Sequence, residues 1–134
     1  MESITLVKDA IHRPDEPRHF MQFKFPGTQY TAHFQDREVA NTSAPLILSE
    51  VGYGIYDPVV YFPLEDVDQD ALQRIDKTTV CPLKGETDYF SMSDANNEQG
   101  AEVAWSYAKP YPFAAKLKDY MAFDARKIKI RAVE

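Results

Sequence analysis

The sequence predicts an all-β fold of mainly antiparallel strands, arranged as a small sandwich or open barrel, with one short helix. Two observations lead there. Short runs of β-branched and aromatic residues recur along the chain, separated by Pro, Gly, Asp and Asn turns. Only one stretch, Phe113 to Tyr120, keeps helical spacing, with Phe113, Leu117 and Tyr120 on one stripe.

The totals bound what such a fold could do. At 134 residues the chain has the length of one domain with a self-sufficient core. It is 44% hydrophobic and 27% charged, a globular composition and not a disordered one. A net charge of −6 leaves no basic face for neutralising phosphates, and it disfavours an anionic bilayer surface. No nucleic-acid or membrane partner is expected, and a neutral or cationic small molecule suits the charge better. The single cysteine, Cys81, rules out an intramolecular disulfide and a multi-cysteine zinc site. Glu2 begins no basic segment leading into an apolar run, so no signal peptide is expected, and the expected location is cytoplasmic.

Residues 1–29 read as an N-terminal arm with extended strands, and residues 30–134 as a single mainly β domain. In the arm, Ile4 to Val7 suits a short strand. His12 to His19, with two prolines and alternating charge, reads as an extended loop with solvated histidines. Phe20, Phe23 and Phe25 suggest a strand closed by Pro26-Gly27. Tyr30 to Phe62 reads as a β-meander, with a turn at Gln35-Asp36-Arg37 and a strong strand at Val59-Val60-Tyr61-Phe62.

Glu65 to Asp70 is the most acidic stretch. It lacks the Gly and the bidentate Glu of a calcium loop, since Ala71 and Lys77 stand there. Asp68 is expected to cap one helical turn with Leu72 and Ile75 facing inward. Thr78 to Cys81 and Thr87 to Met92 form a hairpin around Pro82-Leu83-Lys84-Gly85. Ala101 to Tyr107 is a strand alternating around Val103 and Trp105. Met121-Ala122-Phe123 and Ile128-Lys129-Ile130 suggest a final strand pair.

Several residues could carry chemistry. Cys81 suits a nucleophile with Lys84 as its local cation and His33 within reach of folding, or else a small buried residue closing a strand. Lys84 beside Gly85 could present an ammonium to an anionic ligand. Tyr61, Trp105 and Tyr107 suit a pocket for a small planar or apolar ligand, with Trp105 and Tyr107 on one face of their strand. Glu50 and Asp66 are the carboxylates that could serve it as acid or base. No metal or cofactor is expected.

From Val59 onward the motifs resemble a catalogued family. Val59 to Val67, Thr78 to Gly85, Tyr89, Ala104-Trp105-Ser106-Tyr107 with Pro110, and Tyr120 with Ala122-Phe123 occur in its order and spacing. Val39-Ala40 and Leu48-Ser49-Glu50 match its first hairpin more loosely. The family is domain of unknown function 427, also labelled nucleotidyltransferase-like, and the likeness covers roughly residues 30–124. It implies a compact β domain akin to small tent-like folds. Several of those hold zinc on paired Cys-x-x-Cys knuckles, whereas this chain has only the Cys81-Pro82 half, so zinc is not implied.

The first expectation is a small-molecule-binding domain with Tyr61, Lys84, Trp105 and Tyr107 at its pocket. The alternatives are a nucleotidyltransferase-like or cysteine-dependent enzyme using Cys81, Asp66 or Glu50, and a homodimeric interaction module using open strand edges.

Overall fold

The computed structural model describes residues 9–94 and 97–134. Their strands form two antiparallel sheets. The long sheet has eight strands in the order β1 (Ile11–Arg13), β2 (Glu16–Lys24), β5 (Leu46–Val51), β6 (Val59–Pro63), β10 (Tyr120–Phe123), β9 (Ala104–Ser106), β8 (Gly85–Met92) and β7 (Leu72–Cys81). The short sheet runs β11 (Lys129–Ala132), β3 (Tyr30–Phe34) and β4 (Arg37–Thr42). The fold is therefore all-β and antiparallel, as expected. It is open as well: among the described residues no pairing joins β1 to β7.

Alternation along the central strands explains the layering. Phe62, Met121 and Phe123 point into one cluster with Ala32, Val39 and Ala40 of the short sheet. Phe62 and Phe123 meet edge to face, with centroids 5.5 Å apart. Tyr61 and Ala122 point the other way, into a second cluster with Met21, Leu46, Leu48, Leu83, Tyr107 and Leu117. β6 and β10 are thus covered on both faces, which is why Val59 to Phe62 is an uninterrupted apolar run. The second cluster draws residues from both ends of the strand order, so the sheet curls around it.

Five local expectations change. The stretch from His12 to His19 is a hairpin, not a loop. β1 and β2 pair Arg13 with Glu16 and then His12 with Phe20. The skipped residues include Pro17, which can sit there because no ladder N–H is required of it. The meander divides between sheets: the Ala44 N–H donates to Thr42 Oγ1 at 2.9 Å, turning the chain ahead of Pro45.

Asp68 is not a cap. Its side chain receives Arg37 at 3.3 Å, residues 69–71 form a single 3-10 turn, and Leu72 and Ile75 lie on β7. The predicted helix is a 3-10 segment, Pro112–Leu117, broken at Ala114 (φ −111°, ψ 18°). Asp119, at φ 66°, then turns the chain directly into β10. The last two strands do not pair with each other. β10 lies between β6 and β9, and β11 pairs with β3. The strand expected at Ile4 to Val7 lies outside the described residues.

The β7–β8 turn depends on Gly85. Its φ is 121°, and a Cβ there would sit 3.1 Å from the Lys109 carbonyl and 3.2 Å from Pro110 Cα. Gly85→Ala is expected to destabilise the fold by about 2 kcal/mol or more. Gly54, with open space around it and no left-handed φ, should accept Ala within about 1 kcal/mol of neutral. Urea denaturation midpoints of the two variants check this; equal midpoints would contradict it.

Candidate functional site

The curl of the long sheet brings distant charged groups together. Glu50 is the penultimate residue of β5 and shares the face of Leu46 and Leu48, which pack in the second cluster. The His19 Nε2–H donates to its Oε2 at 2.6 Å, and the Lys84 ammonium donates to its Oε1 at 2.5 Å. Only 12% of the Glu50 and Lys84 side chains is exposed, and 22% of His19. His19, read from sequence as a solvated loop residue, is therefore half of a partly buried pair. The alternation His19, Met21, Phe23 along β2 was the signal for it, since Met21 is fully buried.

Burial alone would raise the Glu50 carboxyl. The Lys84 charge and the hydrogen bonds from His19 and Lys84 outweigh it and hold the group below its ordinary 4.5. Burial alone would likewise lower Lys84. Tyr107 and Glu50, with Cys81 contributing, outweigh that and hold the ammonium above its ordinary 10.5.

A second polar chain adjoins the first. Lys84 Nζ lies 5.9 Å from the Tyr107 ring centroid. Tyr107 and Tyr61 lie together in the second cluster, and each perturbs the other's hydroxyl. The Trp105 indole N–H donates to Tyr61 O at 3.4 Å. Burial pushes Tyr61 well above 10 and raises Tyr107, the latter against the pull of Lys84. Both phenols therefore stay neutral. Tyr61 and Tyr107 are 1% and 5% exposed, so they sit behind the surface. The curl is filled by side chains.

Trp105 is where this chain reaches the outside. It pairs across β8–β9 with Tyr89. Both line an open depression of about 320 Å³, together with Asp57, Pro58, Val59, Glu102, Phe123, Asp124, Ala125 and Arg126. Tyr89 stood out only as part of the family resemblance, and Asp57 and Glu102 had no sequence-level signal, because only the sheet order and the loops bring them beside Trp105.

The remaining candidates fall elsewhere or at the margin. Cys81 is a free, partly buried thiol packed against the second cluster near Lys84. Asp66 accepts the Thr42 hydroxyl at 2.7 Å, tying the end of β6 to β4. His33 lies on β3, 3.7 Å from Glu38, and is not brought to Cys81. Among the described residues no three of His, Cys, Asp and Glu converge as a metal shell would require.

Comparison with known proteins adds a family match. Residues 27–134 match a family model described as a domain of unknown function (DUF427), whose label is that of a nucleotidyltransferase. No curated protein matches the chain.

The Glu50 network sets a pH dependence. A carboxyl held below its unfolded value stabilises the fold above that value, and the stabilisation is lost as pH falls through the folded value. Wild type should therefore lose stability between about pH 4.5 and more acid pH more steeply than Glu50→Gln. Lys84→Met should cost about 3 kcal/mol at pH 7, because it leaves a buried carboxylate short of its cation. The double variant should recover most of that loss. Denaturation midpoints across pH 3–7 check both; parallel curves would contradict the assignment.

Proposed function

The chain belongs to the DUF427 family, and from its geometry we propose that it binds a small molecule in the depression fronted by Trp105 and Tyr89. One observation carries the reading. Two aromatic rings from neighbouring strands line one concavity with carboxylates and a guanidinium around them, and the ring at its floor is anchored from behind. An aromatic surface with a few fixed polar groups is the usual composition of a small-ligand site. In this reading Tyr61, Tyr107, Lys84 and Glu50 are support: the Tyr61 hydroxyl orients the indole, and the ion pair fixes Tyr107 behind it.

The nucleotidyltransferase alternative gains nothing from Asp66, whose carboxylate is occupied by Thr42. The cysteine-dependent alternative has one observation in its favour, the partly exposed Cys81 sharing a charge neighbourhood with Lys84. A second reading of that kind predicts that iodoacetamide labels Cys81 in the native protein at neutral pH. Labelling that requires unfolding would remove it.

Trp105 is the only tryptophan, so emission excited at the red edge, where tyrosine does not absorb, reports this surface alone. A metabolite and nucleotide screen should find compounds that change the Trp105 emission and raise Tm. At 100 times its Kd such a compound adds about 2.7 kcal/mol of stability, which corresponds to a rise of several degrees. The rise should disappear in Tyr89→Ala. A compound that stabilises wild type and Tyr89→Ala equally binds somewhere else and counts against the site.

A further inference from the structure

A cation already contacts two residues that line this depression. β7 and β8 pair Arg74 with Phe90 and then Thr78 with Asp88, so Ile75, Asp76 and Lys77 stand opposite Tyr89 alone. This bulge folds the Lys77 side chain back over its neighbour strand. Its Nζ lies 4.7 Å from the Tyr89 ring centroid and 3.0 Å from a Glu102 carboxylate oxygen. Tyr89 and Glu102 both line the depression. An aromatic face and a carboxylate therefore form a seat for an ammonium, and a tethered ammonium fills it.

The other charges of the depression differ in their commitments. Asp124 is engaged by Arg126 through bonds of 3.0 and 2.9 Å, and its carboxyl is lowered chiefly by that guanidinium. Asp57 lines the depression too, and it has no hydrogen bond or ion pair among the described residues. The uncommitted charge at the site is negative, and the net charge of the chain, −6, adds to the attraction for a cation.

We infer that the ligand of this depression is a small organic ammonium ion, which takes the seat between Tyr89 and Glu102 with the charge of Asp57 adding to its attraction, and that Lys77 is its built-in competitor. The inference rests on the proposed binding surface and goes further by naming the ligand class and a device that limits affinity. Lys77 keeps Glu102 neutralised and the ring covered while the site is empty. An incoming ammonium displaces it at the cost of one exposed ion pair and one cation–π contact. Each is weak where water reaches it, so the exchange is close to balanced, and removing Lys77 favours the ligand.

The test titrates the Trp105 fluorescence of the full chain at low ionic strength. The probes are methylammonium, butylammonium, tetramethylammonium and guanidinium, with 1-butanol and butyramide as neutral partners. Cations should bind and their neutral partners should not. Lys77→Gln should tighten cation binding about three- to tenfold, the range expected when a weak surface competitor is lost. Asp57→Asn should weaken it by a similar factor, and 0.5 M NaCl should weaken it in wild type. Both substitutions lie on the surface, and unchanged urea midpoints confirm that folding is intact. Unchanged cation affinity in Lys77→Gln overturns the competitor role. Binding of neutral compounds as tight as that of the cations overturns the ligand class and leaves the depression standing as a binding surface. Silence of the whole panel on both wild type and Lys77→Gln overturns the inference too, whereas the metabolite screen decides the surface separately.

Discussion

The bridge from Lys84 through Glu50 to His19 is the constraint on which the rest of the structure leans. It joins β2 and β5 to a turn that lies four strands away in the sheet order. A twisted sheet curls of its own accord, but nothing in backbone pairing fixes how far. Here the limit is a polar contact with defined geometry, set beside an apolar cluster that water barely reaches. Such a pair gives little net stability against a well-packed apolar alternative. Its value lies in specificity: three charged or polar groups can be satisfied together only when the sheet has one curvature.

That curvature is transmitted to the surface through neutral hydroxyls. Lys84 faces Tyr107, Tyr107 packs with Tyr61, and Tyr61 accepts the Trp105 indole N–H. A tryptophan on an open strand surface would ordinarily choose among rotamers. With its one donor committed inward, this one holds its ring on the floor of the depression. The buried ion pair and the partly buried ring are ends of one network, so substitutions at Glu50 or Lys84 should be felt at Trp105 without touching it.

Much of this was legible in the sequence where the deciding contacts are local. The β3–β4 turn, β6 and the hairpin at Pro82 to Gly85 follow from alternation and turn chemistry within a few residues. Lys84, Glu50 and Trp105 stood out by residue type and position. His19 did not, because its partner lies 31 residues away and two prolines made the segment look unpaired. The apparent hairpin of β10 and β11 failed for the same reason: adjacency in sequence is the default, and the empty slot between β6 and β9 overrode it. The helical stripe from Phe113 to Tyr120 was real as a pattern. It lost to Pro110, Pro112 and the left-handed Asp119, which leave room for only a 3-10 segment.

The bulge in β7 was the least legible feature, and it bears most on the proposed binding surface. An edge strand of ten residues with unpaired backbone is a hazard, and bulges with charged residues are a common protection. Arg74, Asp76 and Lys77 fit that role as solvated edge charges. Protection alone, however, requires only that the charges face outward into water. Lys77 faces instead across its own hairpin, onto Tyr89 and Glu102. The same distortion that spoils the edge for another strand thus delivers an ammonium to two residues that line the Trp105 depression. A residue kept purely to block edge pairing could be exchanged for any charge or for proline with no consequence at Trp105; one that occupies a cation seat could not. Edge protection and ligand competition are therefore separable properties of a single side chain, and the contact geometry of Lys77 favours the second as its more demanding task.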